Sequence, residues 1–261
     1  MSAKVFAIVN QKGGVGKTTT AVNVSAYLSQ KGFKCLLIDF DPQGNASSGI
    51  GVKSESVGSG IYELISNTSS LQEALYPTPF ENLHLLPATR HLAGLEIELV
   101  EVEDREYRLK QAINPCLEYY DYILIDCSPS LGLLTINALC AAQESIVPLQ
   151  CEYYALEGIA GLIQTLKQVK ENLNPELEIA GILLTMFDKR TSLNRQVVEN
   201  VRQFFDTLLF QTLIPRNVRL SEAPSHGLPI ALYSPECPGA QAYKALTEEV
   251  IQRVYEKQIT A

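Results

Sequence analysis

Short apolar runs alternate with longer amphipathic stretches along most of the chain. Val5–Val9, Lys34–Phe40, Leu83–Leu86, Tyr122–Ile125, Ser145–Leu149, Ile179–Thr185 and Leu209–Ile214 read as strands. Between them, apolar residues recur at the i, i+3, i+4, i+7 spacing of a helix. Thr18–Gln30 carries Ala21, Val24, Ser25 and Leu28; Arg105–Asn114 carries Leu109, Ala112 and Ile113, with Pro115 as a stop. Leu156–Val169 carries Leu156, Ile159, Leu162, Ile163, Leu166 and Val169, and Leu193–Phe205 carries Val197, Val198, Val201 and Phe204. A last helix is expected over Ala240–Tyr255. Strands that are apolar throughout, rather than at alternate positions, imply a sheet covered on both faces. Strand–helix alternation implies parallel pairing through right-handed crossovers. The pattern predicts an α/β fold with a doubly wound, mostly parallel sheet, one domain over residues 1–261. No repeat, low-complexity tract or linker divides it. The Gly- and Ser-rich stretch Gly44–Ser70 reads as a loop over a ligand site.

With 261 residues, 46% hydrophobic and 19% charged, the chain has ample material for a core and is not a disordered one. Its 21 basic and 29 acidic side chains give a net charge of −8, which argues against a basic coat for nucleic acid. Cys35, Cys116, Cys127, Cys140, Cys151 and Cys237 are scattered, without a C-x-x-C pair, and read as small buried hydrophobes. His84, His91 and His226 are isolated, so no Ser-His-Asp set is available. Met1–Lys4 leads straight into the first strand and is not a signal peptide. No apolar run approaches the roughly 18 residues of a membrane span. Secreted and integral-membrane readings drop out.

The first strand is followed by Lys12-Gly13-Gly14-Val15-Gly16-Lys17-Thr18-Thr19. The pattern G-x-x-x-x-G-K-[ST], aligned on Gly16-Lys17-Thr18, expects glycine where Gln11 stands, so the match is incomplete. Three glycines at a strand-to-helix junction still let backbone N–H groups turn inward to cradle phosphate oxygens. The helix N-terminus adds positive potential there; Lys17 can reach the β- and γ-phosphates, and the Thr18 hydroxyl can ligate Mg²⁺.

Asp39-Phe40-Asp41 closes the second strand, and Asp126 closes Tyr122–Ile125. In a doubly wound sheet the carboxyl ends of strands open onto the ligand crevice, so these acids are expected to face the phosphates. Asp39 and Asp41, two apart on an extended segment, are expected on one side, where Mg²⁺ with ATP would supply a compensating cation.

Lys12 adds a resemblance to the deviant-Walker P-loop ATPases, in which a second, signature lysine stands near the start of the loop. That resemblance implies an ATP-bound sandwich dimer in which Lys12 of each subunit reaches the other's phosphates. It gives Asp41 the task of positioning or activating the attacking water, and Asp39 and Asp126 support of the metal site. Within that group the chain resembles the ParA/Soj chromosome- and plasmid-partition ATPases, in the short Soj-type form. Lys12–Thr19, Asp39–Gly51, Asp121–Leu139, Gln150–Gly158 and Ile214–Pro229 carry the likeness. Ser128 departs from it, standing where the family commonly has proline. The resemblance implies that Pro215, Arg216 and Asn217 lie against the adenine and that Arg190 and Arg219 touch DNA without sequence preference. It also implies an ATP-gated homodimer, a ParB-type partner that triggers hydrolysis, no membrane contact, and a cytoplasmic, nucleoid-associated location.

Between Met186 and Arg219, six basic residues (Lys189, Arg190, Arg195, Arg202, Arg216, Arg219) stand against three acidic ones (Asp188, Glu199, Asp206). Ordinary solvated helices reach such values, so the residues alone leave DNA binding open. Alternatives stay open too: a membrane-positioned MinD-like regulator, a metal-cluster carrier using Cys127 or Cys151, or a nucleotide-dependent scaffold that hardly turns over. The tail Glu248–Gln258, mixed in charge, speaks against the first.

Overall fold

A computed structural model describes residues 2–53, 56–152 and 155–260. The stretch Gln150–Gly158 thus lies partly outside the described residues, at 153 and 154, as do Met1 and the side chain of Leu156. Seven strands form one sheet: β1 (Lys4–Ile8), β2 (Cys35–Phe40), β3 (Tyr76–Pro77), β4 (Leu83–Leu86), β5 (Tyr122–Cys127), β6 (Glu144–Gln150) and β7 (Glu178–Thr185). Their order is β3-β4-β2-β5-β1-β6-β7, parallel throughout except for β3 against β4.

The helices are α1 (Lys17–Gln30), α2 (Asn45–Gly49), α3 (Ile61–Ile65), α4 (Leu71–Ala74), α5 (Leu95–Glu98) and α6 (Arg108–Ile113), then α7 (Leu133–Ala141), α8 (Ala155–Asn172), α9 (Ser192–Phe205), α10 (Val218–Glu222), α11 (Ile230–Tyr233) and α12 (Pro238–Thr260). Side chains of a strand alternate between faces, and here both sets are apolar. Val5, Ala7, Leu36, Ile38, Ile123 and Ile125 join one core with Leu109, Leu134, Leu139, Ile159, Leu166 and Val201 of the helices. Phe6, Ile8, Leu37 and Leu124 join the opposite core with Val24 and Leu28 of α1 and Tyr243, Leu246, Val250 and Val254 of α12. Two covered faces explain the unbroken apolar strands.

Two expected elements differ. Arg105–Asn114 is not one helix: Arg105–Tyr107 and Asn114–Cys116 are 3-10 turns flanking α6, and Pro115 lies inside the second turn. Leu209–Ile214 is not a regular strand. It runs beside β7 through an isolated bridge at Ile182–Leu209, with Phe210 N–H donating to Ile182 C=O (3.0 Å) and Ile214 N–H to Leu184 C=O (2.9 Å). Arg253 and Glu249 of α12 take other backbone groups of the segment and one of β7. Arg253 donates to the carbonyls of Ala180 (2.8 Å) and Leu209 (2.6 Å), and Glu249 accepts from the N–H groups of Gln211 (2.8 Å) and Thr212 (3.0 Å). An apolar run can thus be satisfied by a neighbouring helix instead of a ladder.

Candidate nucleotide site

Parallel register sets the site. β5 lies between β1 and β2, with Ile8 beside Asp126 and Asp126 beside Asp39, so the phosphate loop and two acids emerge at one end of the sheet. The loop needs left-handed backbone at Gly14 (φ +75°) and Gly16 (φ +94°), conformations that favour glycine. Side chains pin its ends. Asn10 bridges the Lys12 N–H (2.9 Å) and the Pro148 carbonyl (2.7 Å), and Thr185 Oγ1 donates to the Val15 carbonyl (2.8 Å). Gly16 caps α1 without a side-chain bond, which leaves the first-turn N–H groups free for an anion.

These features border a cavity of about 430 Å³ lined by Gly13, Gly14, Gly16, Lys17, Thr18, Thr19, Asp41, Gln43 and Pro129, among others. A second cavity of about 380 Å³ adjoins it, lined by Thr185, Met186, Pro215, Arg216, Asn217 and Tyr243. Gly16, Thr19, Met186, Leu220 and Pro224 border both. A glycine-lined half with Lys17 and Asp41 beside a half walled by Ile214, Pro215, Asn217 and Val218 suits a nucleotide, phosphates in one and base in the other.

Lys17 is 6% exposed and donates through Nζ to the Lys12 carbonyl (3.0 Å). Burial lowers its pKa, opposed by Asp126, Cys127 and Asp41. Asp126 is fully buried, and neither oxygen makes a hydrogen bond of normal geometry. Burial and then Asp39 push its carboxyl well up, while the nearby Thr18 hydroxyl and Lys17 pull it down. An unpartnered carboxylate behind a threonine hydroxyl fits a hydrated cation carried by phosphate. Among the described residues no group of three or more His, Cys, Asp or Glu could hold a metal ion alone.

The two acids of β2 part company. Asp41 lines the phosphate cavity, whereas Asp39 is fully buried behind it, bonded by Ser47 through N–H (2.7 Å) and Oγ (2.6 Å). Burial pushes the Asp39 carboxyl up to about 6, against the pull of those bonds. The expectation that both acids face the phosphates is corrected: α2 folds back and claims Asp39. Nor does every loop residue open on the cavity. Val15 is buried, and Lys12 points its Nζ at Glu152 Oε2 (2.6 Å). Arg190 and Arg219 lie outside the cavity, each paired with an acid: Arg190 with Asp188 (2.8 Å) and Arg219 with Glu222 (2.9 Å).

Sequence reasoning missed Met186, Leu220 and Tyr243 in the cavity walls and Ser47 behind Asp39. Tyr243 OH lies 3.2 Å from Thr20 Oγ1, tying the base side to α1. Met186 adopts left-handed backbone (φ +54°), for which a methionine gives no sequence signal.

Phosphate loop, helix N-terminus and acids at the strand ends of a parallel sheet define a P-loop nucleotide hydrolase. A family model described as an AAA domain matches residues 3–179. The chain is 53% identical over 247 residues to the sporulation initiation inhibitor protein Soj of Bacillus subtilis, spanning 95% of this chain and 98% of that protein. It is 52% identical over 250 residues to the chromosome partitioning protein ParA of Myxococcus xanthus, spanning 96% and 88%. Among solved structures, cobyrinic acid a,c-diamide synthase of Mycobacterium smegmatis with bound ADP and magnesium matches with a TM-score of 0.85 and 35% identity, over 97% of this chain and 96% of that one. The chain belongs to the ParA/Soj family of chromosome-partitioning ATPases, and it is an ATPase.

Proposed function

We infer that this chain is a DNA-partition switch of one domain, residues 1–261, that binds ATP with Mg²⁺, pairs with a second copy, holds DNA without sequence preference and lets go on hydrolysis. The two adjoining cavities carry this reading, because their shared wall brings the glycine loop and Asp41 of one beside Pro215, Arg216 and Asn217 of the other. The N–H groups of Gly13 to Thr19 hold the phosphate oxygens, and Pro215–Asn217 lie against the adenine. Lys17 exchanges the Lys12 carbonyl for the β- and γ-phosphates. Thr18 and Asp126, with Asp39 behind them, would hold the hydrated Mg²⁺, which would supply charge neutralisation on the phosphates. Asp41 orients the attacking water by accepting a hydrogen bond from it. Lys12 leaves Glu152 and crosses to the partner's phosphates.

Arg190 and Arg219 give the dimer its DNA contact, and a ParB-type protein triggers turnover. The setting is the cytoplasm, on the nucleoid. Two basic residues of α12 are engaged within the chain: Arg253 on carbonyls and Lys257 with the buried Glu144 (3.2 Å). No helix among the described residues is long and apolar enough to cross a membrane.

ATPase rates with and without DNA and the partner test the switch. Stimulation by both together is expected; a rate unchanged in all conditions would replace it with a scaffold. Lys17→Ala should abolish nucleotide binding, read by a fluorescent ATP analogue. Asp41→Ala should keep the ATP dimer and DNA binding while hydrolysis falls about a hundredfold or more. Normal hydrolysis by that variant would remove Asp41 from the chemistry.

A further inference from the structure

Asn194, the third residue of α9, is 9% exposed and spends its amide on two loops rather than on its own helix. Nδ2 donates to the Cys151 carbonyl (2.7 Å), and Oδ1 accepts the Asp188 N–H (2.7 Å). The first loop follows β6. Its Cys151 N–H bonds the Thr185 carbonyl (3.1 Å), and its next residue is Glu152, which accepts from both Gln150 Nε2 and Lys12 Nζ. The second loop follows β7. There Phe187 exchanges backbone bonds with Ile214 and Arg216 (3.0 Å each), and Asp188 accepts from the Arg190 N–H (3.0 Å), Nε (3.0 Å) and Nη2 (2.8 Å). Arg190 Nη1 is left without a hydrogen bond among the described residues, on a side chain 84% exposed.

We propose that Asn194 is a positioning residue that couples the Lys12 loop to the Arg190 loop, holding the guanidinium ready for a DNA phosphate in step with the lysine that serves the ATP dimer. It rests on the reading of Lys12 as the crossing lysine and Arg190 as a DNA contact. A carboxamide suits the task because it offers a donor to one loop and an acceptor to the other. The bond to Cys151 is buried and the bond to Asp188 partly buried, so displacing either loop leaves a polar group short of its partner. When Lys12 leaves Glu152, the load on Cys151 and Glu152 changes, and the amide transmits that change to Asp188. Asp188 grips Arg190 by a two-toothed ion pair, which sets the angle at which Nη1 meets DNA.

The test uses the full chain with ATP, Mg²⁺ and a random-sequence duplex, measuring ATP binding, ATP-dependent dimerisation and DNA affinity. Asn194→Ala should bind ATP and dimerise within about twofold of wild type and lose about tenfold in DNA affinity. Adding Arg190→Ala to it should cost little beyond Arg190→Ala alone, because both act through one contact. A general structural role would instead weaken ATP binding and dimerisation too, and the two losses in DNA affinity would add. Asn194→Asp keeps the acceptor for Asp188 and loses the donor to Cys151; it carries the same comparison if the alanine variant fails to fold. Wild-type DNA affinity in either variant, or full additivity with Arg190→Ala, overturns the coupling alone. A wild-type chain that ignores DNA in the presence of ATP overturns the DNA reading, and the coupling with it.

Discussion

Asp188 shows how much one half-buried side chain can be told by its neighbours. Three bonds from Arg190 bring its carboxyl from the ordinary 3.8 down to about 2. With the folded value below the unfolded one, the stabilisation is fully present above pH 3.8 and fades as the pH falls toward 2. NMR titration should find this carboxyl ionised at pH 3, and Arg190→Ala should return it toward 3.8. An unmoved titration in that variant would show that the pair is not made in solution. At this scale the phosphate loop was legible, since Lys12, Lys17, Thr18 and the glycines are neighbours whose types and order state their chemistry. Asn194, Glu152 and Met186 were not. Each is a lone residue whose partners lie far away in sequence, and Met186 does its work through a backbone angle that its side chain does not announce.

The strands on β1, β2, β4, β5, β6 and β7 could be read from apolar runs, because a sheet covered on both faces leaves no polar alternation to confuse them. Their order could not, since it depends on which faces pack after the crossovers. Leu209–Ile214 misled for a physical reason: burial makes a segment apolar whether its backbone bonds go to a strand or to side chains. Arg253 reaches those carbonyls from 73 and 44 positions away, and its guanidinium stands 4.3 Å from the centre of the Phe210 ring. Arg253→Ala should lower stability by about 2 kcal/mol, the scale of hydrogen bonds made by a charged group, in urea unfolding. Because this segment runs on into Pro215 and Asn217, the same variant should raise the KM for ATP more than it lowers kcat. A change confined to kcat would mean that the edge clamp does not shape the base wall.

Across the whole molecule, a net charge of −8 and DNA binding are compatible because the charge is unevenly placed. Five acids crowd into Gly94–Asp104 (Glu96, Glu98, Glu101, Glu103 and Asp104), and Asp39, Asp41 and Asp126 gather at the phosphate site. On the proposed reading, one subunit would offer DNA a small basic surface, and two joined by ATP would offer twice that. If Arg190 and Arg219 of both subunits each neutralise a phosphate, log affinity should fall against log salt with a slope of roughly −4. A salt-independent affinity would refute a phosphate-driven contact. The shared wall of the two cavities has a chemical use. Leu220 borders both halves, and its side chain packs against Gly239, where an added Cβ would come within 2.7 Å of Leu220 Cγ. Leu220→Ala should open room beside the base for ATP analogues with a bulky substituent on the adenine amine, which the natural chain would turn away. Turnover of such an analogue by the variant alone, read by phosphate release, would give a private nucleotide for switching this one ATPase among the many in a cell.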